Sequence, residues 1–194
     1  MTSRIFLLSP AYAGGKRTQM ILNERAEFDL AKKLRSKRGA TIGEVFTFLS
    51  GLYFRGKVAY ASAFARPIDK SSGVFVITPT RGLVDITTRI TLDDLREFAD
   101  VDIHEQDPRY RVPLERHSRE LAKQLPPHSD VVLLGSIATP KYIDILLKNF
   151  RERLRFPGRF RRTRRHESRW IDVALRPTST RTSLRLRRGR SVKW

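Results

Sequence analysis

Three short, nearly unbroken apolar runs constrain this chain most: Ile5-Phe6-Leu7-Leu8, Val74-Phe75-Val76-Ile77 and Val131-Val132-Leu133-Leu134. A strand that is apolar on both faces must be covered on both faces, which is the habit of parallel sheets packed between helices. Each run stops at polar or small residues, at Ser9-Pro10, Thr78-Pro79 and Gly135-Ser136. The sequence therefore predicts an α/β domain, a mostly parallel sheet of about four strands with helices on both faces, the fourth strand being a short one over 154–156. The domain is expected over residues 1–156, with a disordered basic tail over 157–194.

The segments between the runs carry helical signals. Residues 24–34 place Phe28, Leu30, Ala31 and Leu34 on one face, with Lys32, Lys33 and Arg35 near the end where cations suit the helix dipole. Residues 41–64 read as one long helix or two short ones broken near Gly51, rich in aromatic side chains and stopped by Pro67. Thr91 ahead of Asp93 and Asp94 is an N-cap signal, and so is Thr139 ahead of Pro140. Another helix is expected over 112–124.

The formal charge of +19 is unevenly divided. Residues 1–156 hold 26 Lys+Arg against 18 Asp+Glu, whereas residues 157–194 hold 13 against 2. The domain is thus mildly basic, which permits a nucleic-acid partner without demanding one. The chain has no cysteine, which excludes disulfides, thiolate metal sites and cysteine nucleophiles. No stretch approaches the roughly 20 apolar residues of a membrane helix. The run 5–8 is too short for a secretory leader and Pro10 interrupts it. A cytoplasmic protein without membrane partner, cofactor or metal is expected, and nothing in the sequence sets its oligomeric state.

In open parallel sheets, ligands bind beyond the carboxyl ends of the strands, where loops and helix N-termini converge. That rule selects Ser9, Lys16 and Arg17 after the first strand, and Thr78, Arg81 and Asp85 after the second. After the third it selects Ser136, Thr139 and Tyr142, all nine as candidate contacts to a phosphorylated or polar ligand. Each also has a plainer reading. Gly14-Gly15-Lys16-Arg17 lacks P-loop spacing and reads as a solvated loop, Ser136 as a turn residue, Tyr142 as packing. Asp100, Asp102, His104, Glu105 and Asp107 read as solvent-facing polarity rather than a metal site, and His117 and His128 have no evident partner. No nucleophile–base pair and no paired carboxylates emerge from spacing.

The order of several short motifs resembles the YaaA-like peroxide-stress proteins and the small bacterial α/β domains related to them. These are Ser9-Pro10-Ala11, Leu49-Ser50-Gly51-Leu52-Tyr53, Thr78-Pro79-Thr80-Arg81-Gly82-Leu83-Val84-Asp85, and Gly135-Ser136 followed by Lys141-Tyr142. The resemblance covers about residues 4–156, and the runs 43–64 and 131–156 look more closely like an uncharacterised bacterial family of this general kind. It implies DNA- or nucleobase-related work and brings no catalytic residues with it. The chain departs from the peroxide-stress proteins in lacking a helix-hairpin-helix signature.

Residues 157–194 contain 12 Arg and one Lys, against 17 Arg and 9 Lys before them. A nucleic-acid arm commonly mixes the two cations, since either neutralises phosphate; arginine bias of this kind is what a GC-rich gene yields out of frame. The resemblance implies a glycine-rich continuation, Gly-Arg-Gly-Asp-Met-Ser-Arg-Gly-Gly. Residues 162–171 encoded as CGG ACG CGG AGA CAT GAG TCG CGG TGG ATT give that series when shifted by one base. A frameshift product, a solvated tail and a selected RNA- or DNA-binding arm are the three readings, and each expects little packed structure after about residue 160. The functional expectation is a domain binding a nucleotide, nucleobase or nucleic acid at the sheet's carboxyl edge. The alternatives are an enzyme acting on a small nucleoside or phosphorylated substrate, and an inactive frameshifted product.

Overall fold

The computed structural model describes residues 3–136 and 140–157, with Pro140 described by its backbone alone. Thr139 and nearly all of the Arg-rich tail lie outside the described residues. The first apolar run forms β1 (Arg4–Leu8). After it come α1 (Lys16–Leu22), α2 (Asp29–Arg35), a short strand β2 (Ala40–Thr41), α3 (Ile42–Ser50) and α4 (Leu52–Phe64). The second run is β3 (Val74–Thr78), which turns back at once into β4 (Gly82–Asp85). Then follow β5 (Arg89–Ile90), α5 (Leu92–Ala99), α6 (Pro108–Gln124), β6 (Asp130–Leu134), α7 (Pro140–Phe150), a single 3-10 turn and β7 (Leu154–Arg155).

The main sheet has the order β4-β3-β1-β6-β7, parallel throughout except for β4, and β2 pairs with β5 in a separate two-stranded ribbon. The α/β class and mostly parallel sheet read from the sequence are what the chain adopts. The sheet gains a strand over the four expected, because Gly82-Leu83-Val84-Asp85 returns antiparallel along β3 where a loop was anticipated. The helix expected over 24–34 starts later, at Asp29, since the Asn23 side chain accepts from the Arg25 N–H at 2.9 Å and turns the chain there.

Alternation along β1 divides the core. Phe6 and Leu8 join Ile42, Val45, Phe46, Phe54, Val74, Val76 and Phe98 on the face covered by α3, α4 and α5. Ile5 and Leu7 join Tyr110, Leu114, Val131, Leu133, Leu146 and Phe150 on the face covered by α6 and α7. Helix starts follow local chemistry. Thr41 and Glu44 form a reciprocal capping box at α3, and Thr91 and Asp94 form one at α5. Asp107 opens α6 by accepting from the Arg109 N–H at 2.9 Å.

Gly82 stands at φ +60, and a Cβ there would come within 2.4 Å of the Pro113 carbonyl oxygen. Only glycine lets β4 lie this close to α6. The break between α3 and α4 is Gly51, at φ +65.

Candidate functional site

The chain leaves β1 toward the face carrying α3 and α4, and leaves β6 toward the face carrying α7. These neighbouring strands therefore send their following segments to opposite sides of the sheet. That reversal is the switch point at which open α/β sheets form a crevice beyond the strand ends. Ser9 and Gly135 are its floor. The Ser9 N–H donates to the Leu134 carbonyl at 3.1 Å, and a Cβ on Gly135 would lie 2.7 Å from the Ser9 Cβ.

Two side chains approach Ser9 from opposite faces. From α4 comes Lys57, 6% exposed, whose Nζ lies 2.7 Å from the Ser9 Oγ and 3.4 Å from the Ser9 carbonyl oxygen. From α7 comes Tyr142, 5% exposed, whose hydroxyl donates to the Ser136 carbonyl at 2.7 Å; that hydroxyl and the Ser9 Oγ both border Gly135, each 3.0 Å from where a Cβ there would stand. The Lys57–Ser9 and Tyr142–Ser136 hydrogen bonds thus form a polar chain of side chains flanking Gly135, beyond the end of the central strand.

The electrostatics of that chain are unusual for a lysine. Nearly all lysines in folded proteins keep the ammonium in water, and a buried one is normally paired with a carboxylate. Among the described residues, the polar partners of Lys57 are the two Ser9 oxygens alone, supplemented by the Tyr53 ring at 4.5 Å and the Phe54 ring at 5.8 Å. Burial pushes the Lys57 amine down from 10.5 to about 8. Burial also raises the Tyr142 phenol, an effect that the nearby Ser9 side chain partly offsets. Tyr53 is 60% exposed and Tyr12, just beyond Ser9 in sequence, is 71% exposed. Tyr53, against the Lys57 amine, therefore offers an aromatic ring to solvent beside this cluster.

The other residues selected from the sequence divide by the partners they hold. Thr78 is fully buried and builds the β3–β4 turn, donating to the Gly82 carbonyl at 3.0 Å and accepting from the Arg81 N–H at 3.1 Å. Arg81 pairs with Asp94 at 2.5 Å and Glu97 at 2.7 Å, which ties the turn to α5. Asp85 lies at the opposite edge of the sheet, beside Phe75 near the start of β3, because β4 runs antiparallel. There it accepts from Ser72 and Thr87, whose hydrogen bonds outweigh the effect of burial and hold its carboxyl below the usual range. Arg17 donates to the Phe48 carbonyl at 2.8 Å near the end of α3. Lys16 is exposed at the start of α1 and makes no ion pair among the described residues.

The structure thus brings Ser9, Ser136 and Tyr142 together and sets Thr78, Arg81, Asp85 and Arg17 to structural tasks. Sequence reasoning missed Lys57, Tyr53 and Gly135. The only signal for Lys57 was a cation in a helical stretch rich in aromatic side chains, a signal that Arg55 shares. Among the described residues no group of three or more His, Cys, Asp or Glu is placed to hold a metal ion, and no helix is long and apolar enough to cross a membrane. Two surface hollows of about 320 and 330 Å³ lie elsewhere, one lined by Lys33, Glu44 and Arg89, the other by Arg111, Glu115 and Lys148. In each, charged side chains already hold one another. No family model, curated protein or solved structure matches the chain.

Proposed function

We propose that this domain binds a nucleotide, nucleobase or nucleic acid at the carboxyl edge of its sheet, with the crevice around Ser9 as the site. The observation that carries the reading is Lys57, a buried lysine whose hydrogen-bond partners among the described residues are hydroxyl and carbonyl oxygens alone. An anionic group entering the crevice would supply the countercharge, and charge-assisted hydrogen bonds are the strong ones. The exposed rings of Tyr12 and Tyr53 suit stacking against a base. The likeness to the YaaA-like proteins belongs to the same proposal, since it implies nucleobase- or DNA-related work. The Ser9–Lys57 contact favours a second reading, an enzyme acting on a small nucleoside or phosphorylated substrate.

Calorimetric titration of the full chain with AMP, and with a short single-stranded oligonucleotide at two salt concentrations, tests the proposal. Binding is expected for the wild type and is expected to weaken about tenfold or more in Lys57→Met, the scale of a lost hydrogen bond to a charged group. Equal binding by Lys57→Met, or no binding by either the wild type or a chain with the reading frame restored after residue 161, would defeat it. The same titration on a chain with the reading frame restored after residue 161 covers the frameshift reading. Binding that appears only then assigns the loss of function to the altered tail.

A further inference from the structure

We propose that Ser9 is a nucleophile and Lys57 its general base, so that the crevice carries out acyl transfer on an activated ester. This goes beyond ligand binding and rests on three observations of its own.

The first is the contact. Nucleophilic catalysis by serine needs a base within about 2.6–3.2 Å of the hydroxyl, and the Lys57 Nζ stands 2.7 Å from the Ser9 Oγ. Ser9 is half-buried as a residue, whereas Lys57 is 6% exposed.

The second is the partner set. A lysine serves as a base only when its neutral form is accessible, and a carboxylate partner would hold it protonated. Lys57 faces Ser9 just past the end of β1, and Tyr53 and Phe54 on its own helix; no described acid reaches it. Burial lowers its proton affinity to a value a base can use near neutral pH.

The third is the loop that follows. The N–H groups of residues 11–15 donate to no backbone carbonyl among the described residues, although Ala11 and Ala13 are buried. Backbone donors in the segment that follows a nucleophile are candidates to serve a developing oxyanion.

The reaction balances without any further reagent. Neutral Lys57 takes the Ser9 proton as Oγ bonds to the carbonyl carbon. The tetrahedral adduct then expels the leaving alcohol, which takes that proton from Lys57. Water, deprotonated by Lys57, attacks the acyl-serine, and the departing Ser9 oxygen recovers the proton. The Tyr142 hydroxyl, fixed by its bond to the Ser136 carbonyl, stands beside Gly135 as a neighbouring polar group.

The test treats the full-length protein with an alkyl fluorophosphonate probe and locates the adduct by peptide mass. Labelling at Ser9 is expected, with a rate that rises between about pH 7 and 9 and that falls at least a hundredfold in both Ser9→Ala and Lys57→Arg. Arginine keeps the charge and the hydrogen bond but cannot act as a base, so it separates catalysis from packing. Circular dichroism confirms folding of each variant. No labelling of the wild type, undiminished labelling in Ser9→Ala, or wild-type rates in Lys57→Arg overturns the proposal. Nucleotide binding without labelling overturns it while leaving the binding reading intact; labelling without nucleotide binding does the reverse.

Discussion

The carboxyl edge of this sheet holds two basic side chains near strand ends, and their environments differ in one respect. Arg81, after β3, is matched by Asp94 and Glu97 and is 41% exposed on its side chain. Lys57, beside the end of β1, is almost wholly buried and matched by hydroxyl and carbonyl oxygens alone. The first cation is spent on holding a hairpin to a helix. The second has no described anionic counterpart, a state that burial makes costly unless the group loses its proton or meets an anion. A basic residue after a strand is therefore no guide to a site by itself; the partners already present decide.

Gly135→Ala gives the largest contrast. The added Cβ would sit 2.7 Å from the Ser9 Cβ and 3.0 Å from both the Ser9 Oγ and the Tyr142 hydroxyl. Since the Ser9 Cβ is fixed by β1, the crevice floor must shift. A loss of about 1–3 kcal/mol is expected from overpacking. Ser9 labelling should fall about a hundredfold, the scale of an ångström's misplacement. Denaturant melts and probe kinetics measure the two effects, and unchanged labelling would separate Gly135 from the site.

Alkali should distinguish the two cations next. Folded Lys57 releases its proton near pH 8 while the unfolded chain keeps it to about 10.5, so the unfolded state binds more protons between those values. Wild-type stability measured against Lys57→Met should accordingly rise by about 1–2 kcal/mol from pH 8 to 9.5, at 1.36 kcal/mol per pH unit. A flat difference would mean that Lys57 is hydrated.

Acid should disclose the weaker partner set, with the opposite sign. The Arg81 hydrogen bond holds Glu97 below its ordinary range. Burial raises Asp94, but the Thr91 N–H and Arg81 outweigh it. The stabilisation is complete above the ordinary carboxylate range and is lost as pH falls through the lowered values. Half-exposed pairs of this kind are screened, so Arg81→Met should cost about 0.5–1 kcal/mol at pH 7. That difference should shrink in urea melts as pH falls below the ordinary carboxylate range. Ser9 labelling and nucleotide binding should stay within about twofold of wild type at pH 7, because Arg81 serves the hairpin.

The sheet was legible because its inner strands are apolar on both faces, a pattern that burial writes directly into sequence. Strand β4 escaped because Gly82-Leu83-Val84-Asp85 is too short and mixed to announce itself, and its pairing depends on a turn built by the buried Thr78. That turn also explains Asp85, which was assigned to the site by its place in a supposed loop. The break at Gly51 was visible, as glycine breaks usually are. Lys57 was not, because its role depends on a contact with a residue 48 positions away. Periodicity gives a cation in a helix a solvent face, and only the folded arrangement turns this one inward.

The Gly51 joint also governs how this site can change. A Cβ there would lie 2.9 Å from the Arg17 guanidinium, and the left-handed backbone resists any other residue. One uninterrupted helix over 42–64 would carry Lys57 along the axis of α3, away from the line that meets Ser9. The reach of the amine is thus set six residues upstream of it, at a residue with no side chain and no polar contact in the crevice. Drift at position 51 would disarm the pair as surely as losing the lysine, while leaving both partners intact in the sequence.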